Sequence, residues 1–160
     1  MPWFRRCLLL FSFALFWGGL TFYTGIVVRI SHDVLNDPMD GGLITQRVTY
    51  WLQILGVITV ALMFWDAYSV RGVNVKDGNR LVFFAVLLGG SLIGLFIVHG
   101  HLDAVIDIDA GEITDREEFT IGHRRYNQLT TVEWIASIAY LLKAVSAWRR
   151  LDLETEKEVP

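Results

Sequence analysis

Apolar residues along this chain are gathered into long uninterrupted runs rather than spaced at a helical or strand period, and the runs are punctuated by charges. Cys7 to Val28 holds no charged residue for 22 positions, enough for a helix to cross about 30 Å of hydrocarbon. Val48 to Trp65 and Leu81 to Val98 are further uncharged runs of 18 residues each. The fourth, Leu129 to Trp148, contains Glu133 and Lys143 near its two ends, where the insertion penalty of a charge is smallest. The pattern predicts an all-α membrane protein, a four-transmembrane-helix bundle. Its spans fall near 7–30, 48–66, 81–99 and 129–148, its long outer loop at 100–127, and a short charged cytoplasmic tail at 151–160. Residues 1–150 then form a single four-helix membrane domain.

The first run follows Arg5-Arg6, as a secretory signal would. It exceeds the roughly 7–15 residues of a signal core, and Phe16-Trp17-Gly18-Gly19 is too bulky for a cleavage site, so a retained anchor is expected. Arg5, Arg6, Arg71, Lys76, Arg80, Arg149, Arg150 and Lys157 fall on one side of the four spans. Only Arg47, Arg116, Arg124 and Arg125 fall on the other, over a greater length of loop. The positive-inside rule therefore puts both termini in the cytoplasm. Trp3, Trp65 and Trp148 would lie at the inner interface and Tyr50, Trp51, Tyr126 and Trp134 at the outer one, the levels amphipathic rings favour.

Composition agrees: 53% of the 160 residues are hydrophobic and only 19% charged, which excludes a disordered chain. A single cysteine, Cys7, excludes a disulfide scaffold, and it reads as a buried apolar thiol. A net charge of −3 leaves no basic footprint for nucleic acid.

Helices in a bilayer associate through close packing of small residues and through buried polar contacts. Ala14, Gly18, Thr21 and Gly25 form one small-residue stripe on the first span, and Ala85-x-x-x-Gly89 and Gly90-x-x-x-Gly94 another on the third. Gly18, Gly25, Gly90 and Gly94 are expected to seat neighbouring helices of the same bundle. Charges at two levels suggest two intramembrane pairs, Arg29 with Glu133 and Asp66 with Lys143, because an unpaired ion in hydrocarbon is costly.

All four histidines, His32, His99, His101 and His123, fall on the outer side of this topology. Imidazole is the commonest transition-metal ligand, so His99, His101, His123 and Glu133 are a candidate metal or ligand site, set against plain hydrogen-bonding roles. Asp107-x-Asp109-x-Gly111-Glu112-x-x-Asp115-x-x-Glu118 puts oxygen donors at the first, third, ninth and twelfth positions of a calcium loop but fails at the fifth, which is Gly111, and at the sixth, where the turn-making glycine is replaced by Glu112. A turn at Ala110-Gly111 between extended runs is the simpler expectation. Arg124-Arg125-Tyr126 beside His123 is suited to lipid phosphate. No Walker loop, nucleophile elbow, zinc-protease helix motif or C-x-x-C pair is present, so no catalytic residue is assigned.

Phe22-Tyr23-x-x-Ile26-Val27-Val28, Gln46-Arg47-Val48-Thr49-x-Trp51-Leu52, and His123-Arg124-x-Tyr126 with Thr130-Thr131-Val132-Glu133-Trp134 together resemble a family. It comprises small four-helix integral membrane proteins of unassigned function, the bacterial type similar to eukaryotic transmembrane protein 205. The resemblance implies a four-helix membrane bundle, most simply in a bacterial inner membrane, and carries no catalytic residues with it. Two function classes follow. One is a non-enzymatic protein that needs no cofactor and packs with itself or other membrane proteins, or binds lipid. The other is a metal- or small-solute-handling protein with its site at the outer mouth.

Overall fold

The computed structural model describes residues 2–35, 38–107 and 112–157. Among these the chain is almost wholly helical, and four helical stretches are long and apolar enough to cross a membrane. Helix α1 (Pro2–Phe22) opens on proline, whose missing N–H costs nothing at a first helical position. A π-helical turn, Tyr23–Val27, follows, closed by the Val28 N–H donating to the Tyr23 carbonyl, and α2 (Val28–Val34) continues the same rod.

Helix α3 (Pro38–Arg71) is 34 residues long and α4 (Val75–Ala104) is 30. Only three residues join them, and Asn74 caps α4 by accepting from the Asp77 N–H at 3.1 Å. Asp115 caps α5 (Arg116–Lys157) in the same way, accepting from the Glu117 and Glu118 N–H groups. At 42 residues α5 is the longest element.

The segment expected to be a long outer loop is therefore mostly helix. The C-terminal end of α4 and the N-terminal end of α5 consume it, leaving a short antiparallel pairing of β1 (Ile106–Asp107) with β2 (Glu112–Ile113). These strands lie in the two extended runs expected on either side of a turn. The turn residues Ala110 and Gly111, and Asp109 of the calcium-like pattern, lie outside the described residues. Asp107 and Glu112 face each other across the strand pair, and Asp115 is engaged as a helix cap.

Helix α4 packs against α3 on one side and α5 on the other, α1 packs against α3, and α1 meets α5 more lightly. The core is built of Leu9, Phe16, Met63, Val70, Leu81, Leu88 and Tyr140. Small residues buried around them, Ala85 on α4 and Ala136, Ser137, Ala144 and Ala147 on α5, let backbones approach closely. Of the glycines expected to seat helices, only Gly94 does so, its hydrogen facing Leu129 at a distance that would leave a Cβ 3.1 Å from that side chain. Gly18, Gly25 and Gly90 have nothing within 4 Å of a notional Cβ. On α1 the reason is rotational: the buried stripe is Leu9, Phe13, Phe16 and Leu20, and the small stripe is offset from it by about 100° or more around the helix. Cys7 also points outward, exposed rather than buried.

Among the described glycines the tightest approach is at Gly78, where a Cβ would collide with the Arg71 backbone. Backbone cannot rotate away as a side chain can. Gly78→Ala should therefore cost about 1–3 kcal/mol in detergent unfolding, by forcing the α3–α4 turn open. Gly90→Ala should stay within about 0.5 kcal/mol. Equal effects would disprove the close approach.

Candidate functional site

The two ends of the bundle handle their polar groups differently. At the end shared by the chain termini, Asp66 on α3 is fully buried and saturated with donors. Arg5 Nε of α1 lies 2.9 Å from its Oδ1, and Trp148 Nε1 of α5 lies 3.1 Å from Oδ1 and 3.3 Å from Oδ2. The Tyr140 hydroxyl sits 3.3 Å from Oδ2, with its shorter bond, 2.7 Å, to the Met63 carbonyl. A buried carboxylate is tolerable when its charge is paired and its lone pairs are used, and here both conditions hold.

Around this centre Arg6 donates two bonds, of 2.7 and 2.9 Å, to Asp152, with its guanidinium over the Trp148 ring. Arg150 holds Asp77 through Nε at 3.0 Å and Nη2 at 2.7 Å. The hydrogen bond from Arg6 holds the Asp152 carboxyl below its usual range. The stability from that pair is thus present above the ordinary carboxylate pKa and lost as pH falls through the lowered one. With Asp152 57% exposed, solvent screening keeps the whole effect under about 1 kcal/mol.

Neither expected intramembrane pair forms. Asp66 takes Arg5 instead of Lys143, because α1 begins at Pro2 and carries Arg5 alongside α3. Lys143 is exposed on α5, beside Arg80, Phe83 and Phe84 of α4. Arg29 is exposed, whereas Glu133 is 2% exposed, so the two occupy opposite environments.

At the other end, beside the β-hairpin, the polar groups are incompletely matched. Tyr126, Thr130 and Glu133 recur at three- and four-residue spacing along α5, and Thr45, Thr49 and Gln53 do so along α3. Gln53 Nε2 reaches the Tyr126 hydroxyl at 3.4 Å, and Tyr23, in the π-helical turn, donates its hydroxyl to Thr45 Oγ1 at 3.1 Å. Trp134 Nε1 donates to Thr21 Oγ1 at 3.0 Å, and its ring lies 5.4 Å from that of Trp17. Within this layer Gln53 Oε1, Glu133 Oε1, Thr130 Oγ1 and Trp17 Nε1 are buried without a hydrogen-bond partner. Two strong acceptors, an indole donor and a hydroxyl able to do either are thus left open in the interior, an arrangement suited to a small polar guest or to water.

The histidines distribute themselves separately. His99 is half-buried, 3.6 Å from Asp103 and with its ring 6.4 Å from that of Tyr126. His123 lies exposed against Phe119, at the edge of a shallow 480 Å³ groove on α5 that also includes Arg124. His101 is exposed, and the side chain of His32 lies outside the described ones. Among the described residues no three His, Cys, Asp or Glu side chains gather as metal ligands would, so His99, His101, His123 and Glu133 are not one cluster. Gln53 was the residue that sequence reasoning passed over. Its signal was available, since it is the only side-chain amide in the second apolar run.

Comparison with known proteins adds no constraint: no family model, no curated protein and no solved structure matches the chain.

The partner of Asp66 can be tested directly. Arg5→Gln leaves a buried carboxylate without its counter-ion and should destabilise the protein by about 3–5 kcal/mol in detergent unfolding. Lys143→Gln should change stability by no more than about 0.5 kcal/mol. The reverse ranking would restore the Asp66–Lys143 pair.

Proposed function

We propose that this chain is a multi-pass membrane protein with both termini in the cytoplasm, acting by binding other molecules within the bilayer rather than by catalysis. The observation that carries this reading is the outward surface. Phe11 and Leu15 on α1, Trp51 and Ile58 on α3, Phe83 and Ile93 on α4, and Ile135 and Leu142 on α5 are all exposed. An apolar belt on every helix is compatible with hydrocarbon and costly in water. The belt also carries the open α1 stripe around Gly18 and Gly25, where another helix backbone has room to approach. The four-helix membrane family resembled by the sequence supports the same architecture.

A second reading, a small-solute or metal site near the outer mouth, is favoured by the unpartnered oxygens of Glu133 and Gln53. It would move the polar layer from a packing feature to a working site. Metal analysis of the detergent-purified protein beside His99→Ala/His101→Ala addresses the metal form of it. About one ion per chain, lost in the variant, would replace the binding-protein reading.

The topology has its own test. With Cys7 changed to Ser, single cysteines at Val73 and Glu117 report the two sides separately. A membrane-impermeant maleimide applied to intact cells should label the Glu117→Cys protein and spare Val73→Cys until the cells are broken. Labelling of Val73→Cys alone would invert the orientation, and labelling of both in intact cells would reject it.

A further inference from the structure

We infer that the groove between α4 and α5 at the terminal end is a binding site for one anionic phospholipid, with Arg80 and Lys143 holding its phosphate. The inference rests on the membrane reading given above. The groove has a volume of about 390 Å³ and is lined by Asn79, Arg80, Phe83, Phe84 and Lys143. Its floor is aromatic: the rings of Phe83 and Phe84 meet edge to face at 5.3 Å, and Phe83 is 61% exposed. Two cations therefore stand over an apolar trough that opens outward, and a phospholipid presents the same two chemistries in the same order.

Lys143 is the residue that asks for this partner. It projects from an apolar stretch of α5, five residues before Trp148, or about 7.5 Å along the helix. No carboxylate among the described residues pairs with it. A lipid-facing ammonium at that depth is stable when its four-carbon stem lies along apolar surface and its head reaches a headgroup. Phe83 and Phe84 supply the surface. Arg80 keeps only a loose ion pair, its Nη1 3.6 Å from Asp77 Oδ1, while Arg150 takes the other oxygen, Oδ2, at 2.7 Å. Arg80 accordingly remains 52% exposed. Basic pockets of this kind between helices, at the cytoplasmic level, are suited to anionic headgroups.

The test compares retained lipid. The full chain is reconstituted in nanodiscs of mixed phosphatidylglycerol and phosphatidylcholine, re-extracted in a neutral detergent, and weighed intact with its bound lipids. Wild-type protein should retain about one phosphatidylglycerol in preference to phosphatidylcholine. Lys143→Gln should lower that preference about fivefold, the effect of removing one cation from an anionic surface. Lys143→Arg should preserve it, and Arg80→Gln/Lys143→Gln should abolish it. Arg149→Gln removes a cation on the same side but outside the groove, and should leave the preference within about twofold. Undiminished preference in the double variant, or an equal fall in Arg149→Gln, overturns the site. An alkaline carbonate wash of native membranes separates the two levels of failure. Release of the chain into the wash defeats the membrane reading and the site together, whereas a retained chain with unchanged lipid preference defeats the site alone.

Discussion

A single buried carboxylate holds three helices to one another. Asp66 stands on α3, takes its counter-charge from Arg5 on α1, and receives hydrogen bonds from Trp148 on α5. Each donor comes from a different part of the chain, so the centre is complete only when all three helices are in place. Apolar packing between helices is tolerant of sliding, because one leucine against another is much like the next. A carboxylate with fixed donors is not tolerant, and a slip of one turn would strand it. The small residues of α5 then bring Tyr140 close enough for its hydroxyl to reach the Met63 carbonyl.

The opposite end lacks such a centre. Glu133 is as deeply buried as Asp66 but meets no guanidinium, and Gln53 spends its amide nitrogen on a long bond to Tyr126 while its oxygen stays free. The π-helical turn at Tyr23–Val27 occurs at this same level, where the inserted residue turns Tyr23 toward Thr45. Irregular backbone and four of the unmatched buried polar atoms thus coincide in one half of the molecule, whereas the other half leaves only Arg6 Nε open among the described residues.

The helices were legible in the sequence because length and lack of charge are properties of a run, independent of what the run touches. Partners were not. Arg5 reads in sequence as a flanking charge, and nothing local says that α1 starts early enough to carry it inward beside Asp66. Lys143 looks buried because its neighbours are apolar, yet in a bilayer apolar neighbours line the outside as readily as the inside. Gly18 and Gly25 share a spacing with true packing glycines, but spacing fixes only that they lie on one face, not which face meets another helix. The extended runs around residues 106 and 113 were readable from their alternation and bracketing turn signals. The histidines were separated by rotation about their helices, which sequence order does not reveal.

Helix α5 runs unbroken for 42 residues, which at 1.5 Å each is about 63 Å, twice the thickness of a hydrocarbon core. It carries His123 and Arg124 near one extremity, Glu133 in the unmatched layer, Lys143 in the groove with Phe83 and Phe84, and Trp148 and Asp152 at the end centred on Asp66. No proline or glycine interrupts it after Gly122. Beyond Gly122 such a rod lacks the proline or glycine at which sharp kinks commonly form. The unmatched polar level at Glu133 and the level centred on Asp66 are thereby joined along one uninterrupted helix.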